Sequence, residues 1–441
     1  MMRAPALAVD LTRLALAPVR RAPRGIDRVE LAYARHFLHD WPGECYPVLP
    51  MPWGVRCYRR SQGIEFLRAV EDLWRETKLA SEDPVYARTK AFLTGAPEAP
   101  HKALAGVKPS LFEQAGGYFK LLSVTGISVG RSIARALPRG AIYLNVGQLE
   151  VFRPFLSWLH SRPDVRAVFM IHDLIPLEYP EHHLPIGIRM HERIVRNTAE
   201  FAQTLIVPSH AVSRSVRLEL EKLGRGDIRT HVEHLAVAPE FLGPMAVDPE
   251  LFGANYFVIC GATDSYKNHI LLLHVWKELV ARKGSNSPKL VIAGGPGVTG
   301  GHVIEFIRDA PELAGHVYFA SGLSTGSLRQ IMLNAKALLT PSLAEGFGLP
   351  IVEALAQGTP VMASDIPAHR EAGEGGDVTY LPPLDRLAWL KSIESASAKR
   401  RELAARTSLN VRNYIPRTWE EYFEGICRFL ADGDLSRTGA P

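Results

Sequence analysis

The sequence predicts an α/β fold built from two domains, each organised around a parallel sheet. In the C-terminal half, β-rich runs of four or five residues alternate with helical segments, which is typical of βαβ units. The N-terminal half shows the same alternation with more interruption. A chain of 441 residues is too long for one simple core, since domains average roughly 150 residues. The length therefore indicates two or three domains.

The N-terminal domain is predicted over residues 1–240. Its first strand is expected at 6–11, and the turn at 22–25 opens a helix over 26–40. The later elements are strands at 141–146, 165–172 and 204–209 and a helix from His210 to about Lys222. Residues 55–135 follow no clean period, so we expect an irregular insertion there.

The C-terminal domain is predicted over 250–415, after a linker at 234–253 that is rich in Pro and Gly. Its strands are the runs 256–260, 289–293, 316–319, 337–340, 360–363 and 378–380, and helices at 268–283, 327–335 and 349–357 lie between them. A last helix is predicted within 416–434, over 417–433. Its apolar residues recur at a spacing of three to four and mark one buried face; they are Trp419, Tyr422, Phe423, Ile426, Phe429 and Leu430.

The composition excludes several classes of protein. The chain is 46% hydrophobic and 22% charged with a mean hydropathy of −0.01, values that exclude disordered, collagen-like and coiled-coil chains. No run reaches the ~20 apolar residues of a membrane span. Asp10 and Arg13 interrupt the apolar start, which argues against a signal peptide; a transit peptide is a poorer alternative to a folded strand. The four cysteines lack metal-ligand spacing, which favours a reducing, cytoplasmic location.

Positive charge is concentrated in the first third of the chain. Residues 1–36 hold seven arginines against three acids, and residues 101–140 carry a net charge of +5. Such patches indicate an anionic partner, either a sugar nucleotide, a phospholipid or a nucleic acid. We expect no nucleic acid, because no recognition-helix, zinc-finger or RNA-binding pattern is present. The basic stretch 117–139 is suited to an anionic membrane surface, or equally to a solvated face of the domain.

The segment 341–371 carries the clearest chemistry. Its pattern is a strand, an acidic glycine loop at 345–348 and a helix, so free backbone N–H groups at the helix start are suited to a phosphate. Glu353 lies about one turn into that helix and leans back toward the same opening. Carboxylates accept hydrogen bonds from hydroxyls, so Glu345 and Glu353 beside a phosphate site suit a ligand that is part diphosphate and part sugar. For Glu353 the alternative is a structural acid favoured by the helix dipole.

Glu345 and Glu353, within EGFGLPIVEALAQGTP, resemble the E-x7-E signature of retaining family 4 glycosyltransferases, which have the GT-B fold. The loop GATDSYKNH resembles the phosphate-binding turn of that family, and 24–34, 168–180 and 205–216 resemble its N-terminal motifs. The resemblance is absent over about 55–135. It implies two Rossmann-like, doubly wound domains that face each other across a cleft and close on the donor. It also implies that the C-terminal helix crosses back to the N-terminal domain.

The resemblance assigns roles to matching positions. Glu345 would hold hydroxyls of the donor sugar, Lys267 would neutralise the diphosphate, and His172 would face the reacting sugar; these three are the implied catalytic residues. The implied donor-binding residues are Gly25 in the first loop, Asp173 beside the histidine, Gly346, Phe347, Gly348 and Leu349 through their backbone, and Glu353 for the ribose hydroxyls.

Each assignment has a structural alternative. Lys267 could be an ordinary surface lysine, but a cation just before a helix start opposes the helix dipole, a conflict that an anionic ligand would remove. His172 could be a core or capping residue, and Asp173 a cap or a partner that orients His172. A cluster of two acids and two histidines lies in a proline-flanked segment where we expect a loop and no metal; it comprises Glu178, Glu181, His182 and His183.

One position departs from the family pattern. Tyr266 stands where the family usually carries an arginine before the lysine, so a bidentate guanidinium is lost there. The sequence does not identify a replacement among Arg13, Arg24 and Arg329.

The implied reaction is transfer of a sugar from a nucleotide-diphosphate sugar to a hydroxyl of a saccharide or a lipid-linked saccharide, with retention, in cell-surface polysaccharide synthesis. EGFGLP together with HDLIPL favours mannose from GDP-mannose. We expect no metal or other cofactor, because Lys267 and the helix dipole supply positive charge. A peripheral contact with the inner face of the membrane would suit a lipid-linked acceptor. The alternatives are a non-catalytic GT-B protein that binds a sugar nucleotide, and a GT-B epimerase or phosphorylase.

Overall fold

The computed structural model describes most of the chain. The described residues are 4–19, 23, 25–75, 83–95, 111–124, 130–148, 153–244, 247–399 and 414–431. Arg24, parts of the predicted insertion and of the basic stretch 117–139, and the last residues of the predicted C-terminal helix lie outside them.

The N-terminal part of the chain forms an eight-stranded sheet. Its strands are β1 Leu7–Asp10, β2 Cys45–Met51, β3 Gly54–Cys57, β4 Arg131–Ser132, β5 Ile142–Asn145, β6 Arg166–Met170, β7 Thr204–Val207 and β8 Arg229–Val232. The order is β4-β3-β2-β1-β5-β6-β7-β8. The six strands β2, β1, β5, β6, β7 and β8 are parallel to one another. At the edge beside β2, β3 and then β4 pair antiparallel. β1, β5, β6 and β7 are short, apolar and wholly or almost wholly buried, as expected where helices cover both faces of a parallel sheet.

Nine described helices belong to this part of the chain: α1 Gly25–His39, α2 Arg60–Arg75, α3 Pro84–Thr94, α4 Leu111–Val124, α5 Ile133–Ala136, α6 Arg153–Leu156, α7 Ile175–Glu178, α8 Pro185–Phe201 and α9 His210–Lys222. Side-chain caps explain where some of them start. Asp83 accepts backbone N–H bonds at the start of α3, and Ser209 does so at the start of α9.

Residues 55–135 differ from the irregular insertion expected from the sequence. Their described parts contain α2, α3 and α4 and the strands β3 and β4. The helix α3 lies against the C-terminal domain, where Phe92 stacks on Tyr318 with ring centroids 5.0 Å apart. Tyr86 also donates a hydrogen bond of 2.6 Å to Asp248. These helices are fixed by contacts with residues far away in the chain, which a local sequence pattern does not reveal.

The C-terminal domain contains a six-stranded parallel sheet. Its strands are β9 Tyr256–Cys260, β10 Lys289–Ala293, β11 Val317–Ala320, β12 Leu338–Thr340, β13 Val361–Ser364 and β14 Val378–Leu381, in the order β11-β10-β9-β12-β13-β14. The helices are α10 His269–Lys283, α11 Gly301–Arg308, α12 Thr325–Asn334, α13 Leu349–Leu355, α14 Pro367–Ala372 and α15 Arg386–Ala398. The order places β9 and β12, whose loops carry the predicted site, next to each other.

The last described helix, Trp419–Ala431, packs on α1 of the N-terminal domain. The buried hydroxyls of Tyr33 and Tyr422 form a hydrogen bond of 2.7 Å. Phe423 stacks on His36 with ring centroids 4.2 Å apart. The apolar face recognised in the sequence is thus buried against the other domain.

Within the described residues, no helix combines the length and the apolar character that crossing a bilayer requires.

Candidate functional site

The acidic glycine loop lies between β12 and α13, at the carboxyl edge of the C-terminal sheet. Gly348 has φ +114°, a conformation that favours glycine, and Pro350 occupies the first turn of α13. A Cβ added to Gly346 would lie 2.2 Å from the carbonyl oxygen of His172. The loop therefore touches the N-terminal domain at the residue that the sequence predicts to face the reacting sugar.

Glu345 and Lys267 form an ion pair beneath this contact. Lys267 Nζ lies 2.5 Å from Glu345 Oε1, and the hydroxyl of Ser342 donates to the same oxygen at 2.9 Å. Burial raises the pKa of Glu345, but the electrostatic effects of Lys267 and His369, together with the hydrogen bonds from Lys267 and Ser342, hold it below its usual value. The conflict between Lys267 and the helix dipole is thus offset within the chain, by Glu345. The need for an anionic ligand, inferred from the sequence, does not follow from this structure.

The turn that carries Lys267 is held by the backbone around it. Asn268 adopts the left-handed conformation, with φ 58°, and its side-chain amide donates to the carbonyls of Pro341 and Pro383. Tyr266 stacks on His183 of the N-terminal domain, with centroids 5.3 Å apart. The residue in the position of the expected arginine is therefore part of the interface between the domains.

Of the three arginines considered as replacements, the two in the described part of the chain bind groups other than Tyr266. Arg13 binds Asp27 at 2.6 Å and the carbonyl of Gly147 at 2.9 Å. Arg329 donates to the carbonyl of Gly243. Arg24 lies outside the described residues.

Glu353 is buried in α13 and bound by an arginine from the other domain. Arg28 Nη1 lies 2.6 Å from Glu353 Oε1, and the side chain of Glu353 is 2% exposed. Burial raises the pKa of Glu353, and Arg28 opposes this rise in part. An added Cβ at Gly25 would meet the side chain of Leu349 at an ordinary 3.6 Å, so α1 and α13 approach each other here without a steric need for glycine within the chain.

His172 and Asp173 follow β6 and face this edge. His172 is buried, and its Nε2 lies 2.7 Å from the carbonyl oxygen of Val146, to which it donates. Burial lowers the pKa of His172 to about 4. Asp173 accepts a hydrogen bond of 3.3 Å from the backbone N–H of Ile175, the first residue of α7. Gln148 accepts from the backbone N–H of His172 and so fixes this corner.

Two residues near the end of the segment 341–371, neither of them predicted to belong to the site, contribute to it. Glu371, in α14, accepts the backbone N–H groups of His210 and Ala211 at 2.6 and 2.9 Å and contacts His234 Nε2 at 3.1 Å. It thereby caps α9 across the gap between the domains. His369 is buried beside Gly348, and its Nδ1 lies 3.0 Å from the carbonyl of Ser364. The sequence signal that could have identified them is a histidine and an acid in the helix that follows β13.

A metal site was not expected, and one candidate group occurs in the described part of the chain. Ligand atoms of His210, His234 and Glu371 lie within 4.8 Å of one another. The hydrogen bonds from α9 and His234 already account for the Glu371 carboxylate. In the cluster of acids and histidines at 178–183, where no metal was expected, Glu178 accepts a hydrogen bond from the hydroxyl of Ser215.

Comparison with known proteins shows a family similarity in the C-terminal domain and a shared fold for the chain. Residues 250–413 match the family model described as glycosyl transferases group 1. The serotype-specific mannosyltransferase WbdA of Escherichia coli is 26% identical over 292 residues, which are 60% of this chain and 33% of that protein. The O-antigen chain mannosyltransferase RfbU of Salmonella typhimurium is 34% identical over 144 residues, covering 32% of this chain and 38% of the relative. The chain spans about a third of the length of these curated relatives.

The structure of Anabaena HepE in complex with UDP and glucose aligns over 97% of this chain and 100% of that chain, with a TM-score of 0.55 and 14% identity. This likeness shows a shared fold. The chain thus has the GT-B fold, and residues 250–413, in its C-terminal domain, are similar to the glycosyl transferases group 1 family.

Proposed function

We propose that the protein is a retaining glycosyltransferase that moves a sugar from a nucleoside-diphosphate sugar to a hydroxyl of a saccharide acceptor. The contact between Gly346 and the carbonyl of His172 carries this proposal. It sets the Glu345–Lys267 pair of one domain against the His172–Asp173 corner of the other. A donor held by the C-terminal domain would present its sugar at this junction, where an acceptor on the N-terminal domain can reach it.

Positive charge for the leaving diphosphate comes from Lys267 and from the backbone N–H groups of residues 346–349. On donor binding, Lys267 turns from Glu345 to a phosphate oxygen, and the freed carboxylate of Glu345 accepts the sugar hydroxyls. Donors held in position before the reaction stabilise developing charge without reorganisation. We therefore expect transfer without a metal or other cofactor.

His172 acts in its neutral form in this scheme. Because a carbonyl only accepts, the contact with Val146 places the imidazole proton on Nε2 and leaves Nδ1 as an acceptor. With a pKa of about 4, the ring is uncharged near neutral pH. His172 therefore orients a sugar hydroxyl and does not supply a cation to the diphosphate.

The reaction breaks the bond between the anomeric carbon and the diphosphate oxygen. The acceptor oxygen forms its bond on the same face of the sugar, and its proton passes to the departing phosphate oxygen. The anomeric configuration is thereby retained, and no basic side chain is needed for the proton.

Mannose is the first donor sugar to test, from GDP-mannose. Support comes from the similarity to WbdA and RfbU, which are both described as mannosyltransferases, RfbU for O-antigen chains. This supports a role in cell-surface polysaccharide synthesis. UDP-glucose is the second donor to test, since HepE was solved with UDP and glucose.

A lipid-linked acceptor at the inner face of the membrane fits the surface of α4. Leu111, Phe112 and Phe119 are exposed on this helix, and basic Lys120 and Arg131 lie nearby in the sequence. Apolar side chains beside basic ones bind anionic bilayers. Sedimentation with anionic vesicles tests this: binding that Phe112→Ser with Phe119→Ser abolishes supports it, and no binding at low salt refutes it.

The central experiment measures nucleoside diphosphate released from each donor, with and without saccharide acceptors. Lys267→Ala should lower turnover by about 10²–10³-fold. Lys277→Ala, which removes a half-exposed lysine that binds Glu312 at 2.7 Å, is the matched control and should leave turnover unchanged. Equal turnover in both variants would remove Lys267 from the mechanism.

The same assay separates the alternatives. Release that depends on acceptor supports transfer. Donor binding without release indicates a non-catalytic binding protein. Conversion of donor without acceptor indicates an epimerase, and sugar phosphate formed with inorganic phosphate indicates a phosphorylase.

A further inference from the structure

The two acids of the cleft are each held by a cation. Lys267 pairs with Glu345 within the C-terminal domain, whereas Arg28 reaches Glu353 from the N-terminal domain, 325 residues away. Each pair is neutral. A nucleoside diphosphate, which carries at least two negative charges, therefore gains a strong attraction only if cations turn from the acids to the phosphates.

Arg28 is built to make such a turn. It is the fourth residue of α1, whose first residue, Gly25, lies against Leu349 at the start of α13. One terminal nitrogen of its guanidinium binds Glu353, and its buried Nε has no hydrogen-bond acceptor in the described part of the chain. A guanidinium offers five N–H donors in a plane, a geometry that matches phosphate oxygens.

We propose that Arg28 is a diphosphate-binding residue contributed by the N-terminal domain, held on Glu353 until the donor arrives. This rests on the proposed function. Donor binding moves the guanidinium to the phosphates and frees the Glu353 carboxylate for the ribose hydroxyls. The domain that carries the acceptor site thus contacts the leaving group directly, so the donor binds tightly only when the two domains are together.

A purely structural ion pair between the domains predicts a different result. If Arg28 and Glu353 only joined the domains, neutralising either one would break the same contact, and neither change would tighten pyrophosphate binding through Arg28. In the proposed exchange the two residues compete: Arg28 attracts the phosphates, and Glu353 withholds Arg28 from them. Inorganic pyrophosphate distinguishes these cases, because it lacks a ribose to occupy Glu353.

Calorimetric titration of the full chain with pyrophosphate and with GDP and UDP tests the proposal. Arg28→Gln should lower the affinity for nucleoside diphosphate and for pyrophosphate by about 10- to 100-fold, which is the equivalent of one hydrogen bond to a charged group. Glu353→Gln should tighten pyrophosphate. That gain should shrink in a variant that carries both substitutions, because the proposed gain needs a free Arg28. A gain that came only from the loss of a negative charge would be the same with or without Arg28. Arg35→Gln, on the same helix and paired with Glu71 at 2.5 Å, is the control.

Unchanged affinity in Arg28→Gln, or a loss of pyrophosphate affinity in Glu353→Gln, overturns the proposal and leaves the proposed function standing. Failure of the wild-type chain to bind any nucleoside diphosphate refutes both. Thermal unfolding of each variant reports whether it is folded. If Arg28→Gln does not fold, Arg28→Lys keeps the charge and loses the planar fork, and should still weaken binding several-fold.

Discussion

Replacement of Gly346 by alanine should separate the two domains at the point where the predicted site residues meet. An alanine Cβ would lie 2.2 Å from the carbonyl oxygen of His172 and 3.3 Å from the Cβ of Asp173. His172 is held by Gln148 and Val146, and the Gln148 amide also donates to the carbonyl of Asp173 at 2.9 Å, so neither neighbour moves aside at low cost. The strain is therefore relieved by a shift of the loop or by opening of the cleft.

The size of the effect follows from two contacts. Overpacking of a close contact costs about 1–3 kcal/mol. A displaced loop also loses the hydrogen bond of 2.7 Å from the buried Ser209 hydroxyl to the Gly346 carbonyl, worth about 0.5–1.5 kcal/mol. Together they predict a loss of roughly 1.5–4.5 kcal/mol. Each 1.4 kcal/mol by which the substitution destabilises the closed arrangement of the two domains lowers donor affinity about tenfold.

Urea unfolding and donor titration measure both parts of this cost. Gly326→Ala is the matched control, because an added Cβ at Gly326 on α12 has no heavy atom within 4 Å and should stabilise the helix by about 0.5–1 kcal/mol. If Gly346→Ala equals this control in stability and in donor affinity, the close approach to His172 is not a feature of the protein in solution.

Three further predictions concern stability. The folded pKa of His172, about 4, lies below its usual value of about 6.5, so the unfolded chain binds more protons between these pH values and stability falls as the pH drops through them. His172→Gln should remove up to about 1.4 kcal/mol per pH unit of that loss in urea unfolding at pH 7 and pH 4.5; an unaltered slope would contradict this. Tyr422→Phe should lower the free energy of unfolding by about 1–2 kcal/mol, because it leaves the buried Tyr33 hydroxyl without its partner. Adding Tyr33→Phe to the same chain should restore part of that stability. Strictly additive losses would show that the two hydroxyls are not coupled. Glu371→Ala removes the carboxylate that caps α9 together with Ser209 and should lower stability by about 1–3 kcal/mol, whereas Glu374→Ala, at an exposed position, should have little effect; equal values would exclude the capping role of Glu371.

The C-terminal domain could be predicted well because its signals are local. Glycine and proline bound each strand, and the predicted strands 256–260 and 289–293 coincide with β9 and β10. The predicted strand 316–319 is displaced by one residue from Val317–Ala320. The acidic loop was recognisable because a strand, a glycine turn and a helix follow one another within a short span.

The N-terminal domain carries weaker local signals, and its elements depend on distant partners. The helix α3 is short and has no strong apolar period, and its position is fixed by Asp248 and Tyr318, more than 150 residues away. Sequence patterns report on one face of one element and do not show which surface will cover it. For that reason residues 55–135 were expected to be irregular.

The pairing of charges in the cleft was beyond the sequence for the same reason, and it changes how binding is understood. Motif spacing identified Glu345 and Glu353 as acids for hydroxyls, yet buried acids without a ligand would each leave an uncompensated charge, which costs several kcal/mol. Lys267 and Arg28 remove that cost in the ligand-free chain. Donor binding is then an exchange of partners, in which two ion pairs are broken and phosphate and hydroxyl contacts replace them. Net affinity is the difference between these sets, so a variant that weakens an internal pair without removing its cation should bind phosphate more tightly than the native chain.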